Sequence, residues 1–207
     1  MKGSLIFVMS IFNHKFSKSN ICDWECSTLI LGTFNPEDGP FADYYYGRVN
    51  PHNGWSNRFW PAISEYLVEE NKLDLGLKPG DIEGKVKVMK KFKFSCLDVI
   101  LRIESPNDKA DITGNGFADM ALMRKNNRIT YNTESIVAFI KERGIKKVIA
   151  SWGKGSTLSK PFKAQLDILR KECPDVQFEL FNMPPFGRPL VNNYTFGQMI
   201  YDQLSKQ

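Results

Sequence analysis

Residues 29–60 read LILGTFNPEDGPFADYYYGRVNPHNGWSNRFW. The apolar run Leu29-Ile30-Leu31 stops at Gly32 and Pro36, which is the composition of a strand buried on both faces that then turns. A strand of this kind belongs to a parallel sheet covered by helices, and in an open α/β sheet ligands bind where the strands end. That rule puts Asn35 where chemistry sits. Asn-Pro followed by Glu-Asp-Gly is also strong turn chemistry, so Asn35 has two readings, a turn residue or a polar group presented to a ligand.

Working outward, three more apolar runs, residues 96–101, 147–152 and 176–182, join 28–34 as predicted parallel strands. Helical spacing fills the gaps between them. Phe59, Ile63, Tyr66 and Leu67 mark a helix over 57–70, and Ile82, Val86, Met89 and Phe92 mark one over 81–92 behind Pro79-Gly80. Ile136, Phe139 and Ile140 give a helix over 133–143 that stops at Gly144. A further helix opens on Pro161 and runs to 172, and residues 193–204 form the last. Residues 104–132 are polar and rich in Gly and Asn, which predicts long connections around one short helix at 117–124. The alternation predicts one domain, residues 1–207, built as a three-layer α/β/α sandwich on a central, mainly parallel four-stranded sheet.

Length and composition agree with a full core: 207 residues, 42% of them apolar, including fifteen Phe, seven Tyr and four Trp. A formal net charge of +5 and a pI near 8.9 are compatible with a polyanionic partner. The start of the chain, Lys2 followed by Leu5-Ile6-Phe7-Val8, has the hydropathy of a short signal sequence but no small-residue cleavage site after it. No apolar run approaches the ~20 residues that span a bilayer, so the expectation is a cytoplasmic protein with no membrane partner. Cys22 and Cys26 are close in sequence while Cys96 and Cys173 stand alone. That spacing fails the pattern of a four-cysteine cluster and reads as buried reduced thiols, with no metal and no cofactor.

Reading strand ends as site builders brings three loops to one edge of the sheet. The first carries Asn35, the second Trp152-Gly153-Lys154-Gly155-Ser156, and the third Asn182-Met183-Pro184-Pro185-Phe186-Gly187-Arg188. Gly153-Lys154 lacks the glycine that a nucleotide-binding P-loop needs upstream, which disfavours nucleoside-triphosphate hydrolysis. With only His14 and His52 present, the sequence gives little support to histidine catalysis.

The pieces at 32–36 (Gly-Thr-Phe-Asn-Pro), 44–48 (Tyr-Tyr-Tyr-Gly-Arg) and 57–61 (Asn-Arg-Phe-Trp-Pro) resemble, in type and order, the uracil-DNA glycosylase superfamily. The resemblance is to its mismatch-specific uracil/thymine and hypoxanthine-DNA glycosylase branches in particular. The first piece has one residue more between Gly and Asn than the mismatch-specific pattern, and 49–56 reads as an insertion. Weaker echoes lie at 96–111, with Asp98 and Arg102, and at 182–189.

The resemblance implies a monomeric DNA-repair glycosylase that flips a deaminated or mismatched base, uracil or hypoxanthine, out of DNA and hydrolyses its N-glycosidic bond. It implies a catalytic role for Asn35 or Asn57, the alternative for Asn57 being a cap on the helix beginning at Arg58. The flipped base would be held by Thr33, Phe34, Asn182 and the ring of Tyr46, or of Tyr45. DNA contacts would fall to Arg48, Arg58, Lys154, Ser156, Arg188 and a wedge at Phe186. A noncatalytic nucleic-acid or nucleotide-binding protein of the same fold, and a hydrolase of free nucleosides, are the alternatives. On the glycosylase reading, Arg188→Ala should weaken DNA binding and lower the slope of log affinity against log salt by about 1. Titrations at several salt concentrations measure this, and an unchanged slope would remove Arg188 from the interface.

Overall fold

The computed structural model describes residues 9–16, 22–37, 43–47, 49–50, 54–55, 57–70, 72, 76–106, 126–152, 159–180 and 192–205. Its strands are β1 (Ser10–Asn13), β2 (Thr28–Gly32), β3 (Val49–Asn50), β4 (Gly54–Trp55), β5 (Phe94–Asp98), β6 (Ile100–Ser105), β7 (Arg128–Tyr131), β8 (Lys147–Ala150) and β9 (Gln177–Leu180). Its helices are α1 (Phe59–Glu69), α2 (Ile82–Lys91), α3 (Thr133–Arg143), α4 (Ser159–Glu172) and α5 (Asn193–Ser205).

The central sheet is parallel, with the strand order β5-β2-β8-β9. Every residue of β2, β5 and β8 is buried, which is why these strands are mostly apolar, with the polar residues Thr28, Ser95, Asp98 and Lys147 at or near their ends. Helices α1 and α5 pack on each other, and α3 packs on α4, an arrangement consistent with a helical layer on each face of the sheet. The fold is therefore α/β, as the alternation of strands and helices predicts. No helix among the described residues is long and apolar enough to cross a membrane.

The chain leaves β2 for β5 on one side and later returns to pair β8 on the other side of β2. The switch point of the sheet thus lies between the ends of β2 and β8, the place where open α/β sheets leave a crevice for ligands. Gly32 pairs with Asp98 in register, and Leu31 with Ala150. The C-terminal ends of the three strands are level.

The predicted second strand, 96–101, is two strands in different sheets. β5 ends at Asp98, the chain bends at Val99, and β6 joins an antiparallel sheet of order β1-β6-β7. Backbone bonds from Val99 N to Gly32 O (3.1 Å) and from Ile100 N to Thr33 O (3.1 Å) hold the bend. An apolar run does not report which sheet its residues join, so hydropathy alone fuses the two strands. β1 and β7 are absent from the predicted elements, and β7 occupies part of the stretch predicted as connection. The predicted helix at 117–124 lies outside the described residues. The insertion at 49–56 contributes the two-stranded ribbon β3-β4, with Val49 opposite Trp55.

Helix boundaries follow local chemistry. Gly144 takes a left-handed conformation (φ 63°) and ends α3, a geometry that costs glycine little. The Asp81 side chain accepts from Gly84 N at 2.8 Å and starts α2. Gly197 of α5 lies against α1, where an added Cβ would stand 2.1 Å from the Ala62 carbonyl oxygen. Because that neighbour is backbone, Gly197→Ala must push the helices apart. We expect a loss of about 1–3 kcal/mol in denaturant unfolding, and an unchanged midpoint would contradict this packing.

Candidate functional site

Beyond Gly32 the chain runs through Thr33, Phe34 and Asn35 to a single antiparallel bridge between Pro36 and His14. Lys15 N donates to Asn35 O at 2.8 Å and Glu37 N to Asn13 O at 2.7 Å. The segment after β2 is thereby fastened to the segment after β1. Phe34 is buried and packs edge-on against the His14 ring, 5.7 Å between centroids. Thr33 and Asn35 alternate with it at half-buried positions.

The side chains converge on Asp98, at the end of β5. Asp98 is only 3% exposed, and its Oδ2 accepts from Asn35 Nδ2 at 2.6 Å and from His14 Nε2 at 2.8 Å. His14 Nδ1 in turn accepts from Phe16 N at 3.1 Å, so the ring proton belongs on Nε2, facing the carboxylate. Both ring nitrogens are engaged and the ring is 5% exposed, so it buttresses the Asp98 side chain. Holding the amide NH₂ at Asp98 turns Asn35 Oδ1 to the opposite side, so the acceptor end of the amide is the end presented.

Gly32 makes this closeness feasible. A Cβ there would stand 2.2 Å from Asp98 Oδ1 and 3.1 Å from the Tyr46 hydroxyl. Tyr46 itself has φ 56°, a left-handed conformation that is uncommon for a residue with a large side chain. Its hydroxyl donates to Ser151 Oγ at 2.9 Å, and Ser151 Oγ donates to Leu31 O at 2.9 Å. That chain of bonds lies across the switch point, from the end of β8 to the end of β2.

The tyrosine turn is clamped from several sides. Asp43 Oδ2 accepts from the buried Lys85 ammonium and from Gly80 N, both at 2.5 Å. Trp60 Nε1 donates to Tyr45 O at 2.7 Å, Gly47 N to Tyr44 O at 2.8 Å, and the Tyr46 ring packs 5.0 Å from Phe59. These partners over-determine the backbone and hold the left-handed residue in place.

The structure separates the two tyrosine candidates. Tyr45 is 2% exposed and stacked on His14 at 5.8 Å, and burial drives its hydroxyl pKa far up. Tyr46 is half-buried, with its hydroxyl at the strand ends. It also separates the two asparagines. Asn57 Oδ1 accepts from Phe59 N at 2.8 Å, a turn contact just before α1, whose N-cap position is taken by Arg58. Arg58 bonds Asn193 Oδ1 through Nε and Nη2, both at 3.2 Å, and lies over the Phe196 ring, tying α1 to α5. Arg48, Lys154, Ser156, Asn182, Phe186 and Arg188 lie outside the described residues.

His14, Asp98 and Ser151 are the groups that sequence reading did not assign. The spacing of Asp98 and Arg102 resembles a local ion pair, yet Arg102 bonds Glu104 at 2.7 Å and Asp98 bonds His14 and Asn35. Among the described residues no group of three or more His, Cys, Asp or Glu is arranged to hold a metal ion. The whole chain matches no protein-family model, no curated protein and no solved structure.

The two donors on Asp98 Oδ2 make a stability prediction. In Asp98→Asn the amide oxygen can take the place of Oδ2, whereas Asp98→Ala leaves the donors of buried His14 and half-buried Asn35 without their acceptor. Asp98→Ala should therefore be less stable than Asp98→Asn by about 1–3 kcal/mol in denaturant unfolding. Equal midpoints for the two variants would contradict the shared-acceptor geometry.

Proposed function

We propose that this chain is a DNA-repair glycosylase that hydrolyses the N-glycosidic bond of a flipped, deaminated or mismatched base, with uracil or hypoxanthine as its substrate. The observation that carries the proposal is the anchored amide of Asn35, held by a buried carboxylate at the C-terminal edge of β2. The net charge of +5 is compatible with a DNA partner, and on this reading the protein works in the cytoplasm, at the nucleoid if the source is bacterial.

Bond cleavage of this kind passes through considerable oxocarbenium character, so positioning and electrostatics supply most of the acceleration. In the proposed reaction Asn35 Oδ1 accepts a hydrogen bond from a water and holds it against the anomeric carbon. Water supplies the oxygen that replaces the base, and the base leaves with the bonding electron pair and takes up the proton that the water gives up, so that one water is split between sugar and base. Asp98 and His14 act as positioning residues behind the amide, because neither is exposed enough to reach the sugar. Tyr46 is the stacking candidate at the rim, and a base on a tyrosine face gains about 1–3 kcal/mol. Asn35 is preferred to Asn57 because the Asn57 carbonyl is engaged at the start of α1.

End-labelled duplexes carrying uracil, hypoxanthine, xanthine or a G·T mismatch, scored for alkali-sensitive abasic sites, test the proposal. Asn35→Ala should slow base release by roughly 10²–10³-fold and change DNA affinity only a few-fold. Asn57→Ala should mainly destabilise the chain, by about 1 kcal/mol. Base release at the parent rate in Asn35→Ala would overturn the mechanism. Salt-sensitive binding without release of any base would favour a noncatalytic nucleic-acid-binding protein, and release from free nucleosides alone would make the chain a nucleoside hydrolase.

A further inference from the structure

At the opposite edge of the central sheet, the loop before β2 carries Cys22, Trp24 and Cys26 inward, with Asp23 and Glu25 outward. Trp24 Nε1 donates to Phe94 O at 3.0 Å, and Ser27 N to Lys93 O at 2.8 Å. Lys90 pairs with Asp23 at 3.3 Å and Lys93 with Glu25 at 3.0 Å. The loop is thus pinned along its length to the end of α2 and the start of β5. Within it the sulfurs of Cys22 and Cys26 lie 3.4 Å apart, both reduced. A disulfide needs ~2.05 Å, so the two sulfurs are ~1.4 Å from bonding distance.

We propose that Cys22 and Cys26 form a redox-active dithiol that hydrogen peroxide converts into an intramolecular disulfide. The two sulfurs have unlike roles. The hydrogen bond between the two sulfurs pulls the Cys22 thiol pKa down, and the same bond, together with burial, pushes that of Cys26 up. One sulfur is then the nucleophile and its neighbour keeps a proton, the division that thiol oxidation followed by resolution requires. Cys96 and Cys173 are raised by burial, which leaves them poor nucleophiles. Cys22 and Cys26 are each 3% exposed, an access that suits a water-sized oxidant better than a bulky reagent.

The chemistry balances without a metal or cofactor. The Cys22 thiolate attacks one peroxide oxygen, the O–O bond breaks, and the departing hydroxide takes a proton to become water, leaving Cys22 as a sulfenic acid. The Cys26 sulfur then attacks Cys22 Sγ, the S–O bond breaks, and the Cys26 proton leaves with the hydroxyl as a second water. Two thiols and one peroxide give one disulfide and two waters, and the two electrons lost by sulfur reduce the O–O bond.

Peptide mass measurement on the reduced full chain, treated with hydrogen peroxide and then denatured and alkylated, tests this with no reference to DNA. The fragment holding Cys22 and Cys26 should be recovered unalkylated and lighter by a pair of hydrogen atoms, with Cys96 and Cys173 alkylated, and a dithiol reductant should restore alkylation. Cys26→Ser should stop at a sulfenic acid on Cys22 that dimedone traps when it is added with the denaturant, and Cys22→Ser should react with peroxide at least ~10-fold more slowly. Alkylation of Cys22 and Cys26 to the same extent as Cys96 and Cys173 after peroxide would overturn the proposal. So would oxidation that reaches Cys96 first, and the parent chain gives both of these results even if a serine variant fails to fold.

Discussion

One carboxylate, that of Asp98, joins parts of the chain that sequence keeps far apart. His14 lies 84 positions away and Asn35 lies 63, and both reach the same oxygen. A polar side chain with 3% exposure is buried at low cost only when hydrogen-bond partners satisfy it. Here they come from the segments after β1 and β2. The geometry of the strand ends follows from this requirement: Gly32 must lack a Cβ, and the Asn35 amide must turn its NH₂ inward.

A second layer of constraint sits on the first. His14 stacks on Tyr45, and the next residue, Tyr46, is held with positive φ so that its hydroxyl reaches Ser151. The buried Lys85–Asp43 pair and the Trp60 indole secure the two ends of that turn. Removing either member of such a pair leaves an uncompensated charge, so the pair holds this turn against α2. Rigid support beneath a half-buried amide and a half-buried ring is the arrangement expected of a site that works by positioning.

The parallel sheet and its helices were legible from residue patterns. The run at 28–34, the Ile136, Phe139 and Ile140 spacing, and Gly144 each point to the element that forms. What was not legible is pairing. The continuous run Leu97-Asp98-Val99-Ile100 crosses from one sheet to another, and only the bonds of Val99 and Ile100 to Gly32 and Thr33 reveal the break. β7, Arg128–Tyr131, lacks a buried face pronounced enough to stand out from the polar stretch around it. The site shows the same division. The end of an apolar run located Asn35, while His14 received no role because nothing local announces a partner in β5. Asn57 and Arg58 illustrate the converse: a motif-like string whose polar members serve helix entry and helix packing.

The central claim is that Asp98 acts through Asn35 in base release. It is tested most directly by single-turnover excision of uracil or hypoxanthine from DNA bound at saturation, compared among the parent chain, Asn35→Ala, Asp98→Ala and the double variant. If the two residues act as one unit, each single variant slows release and the double variant is no slower than Asn35→Ala alone. Losses that multiply in the double variant, or a parent chain that releases neither base, would contradict the account.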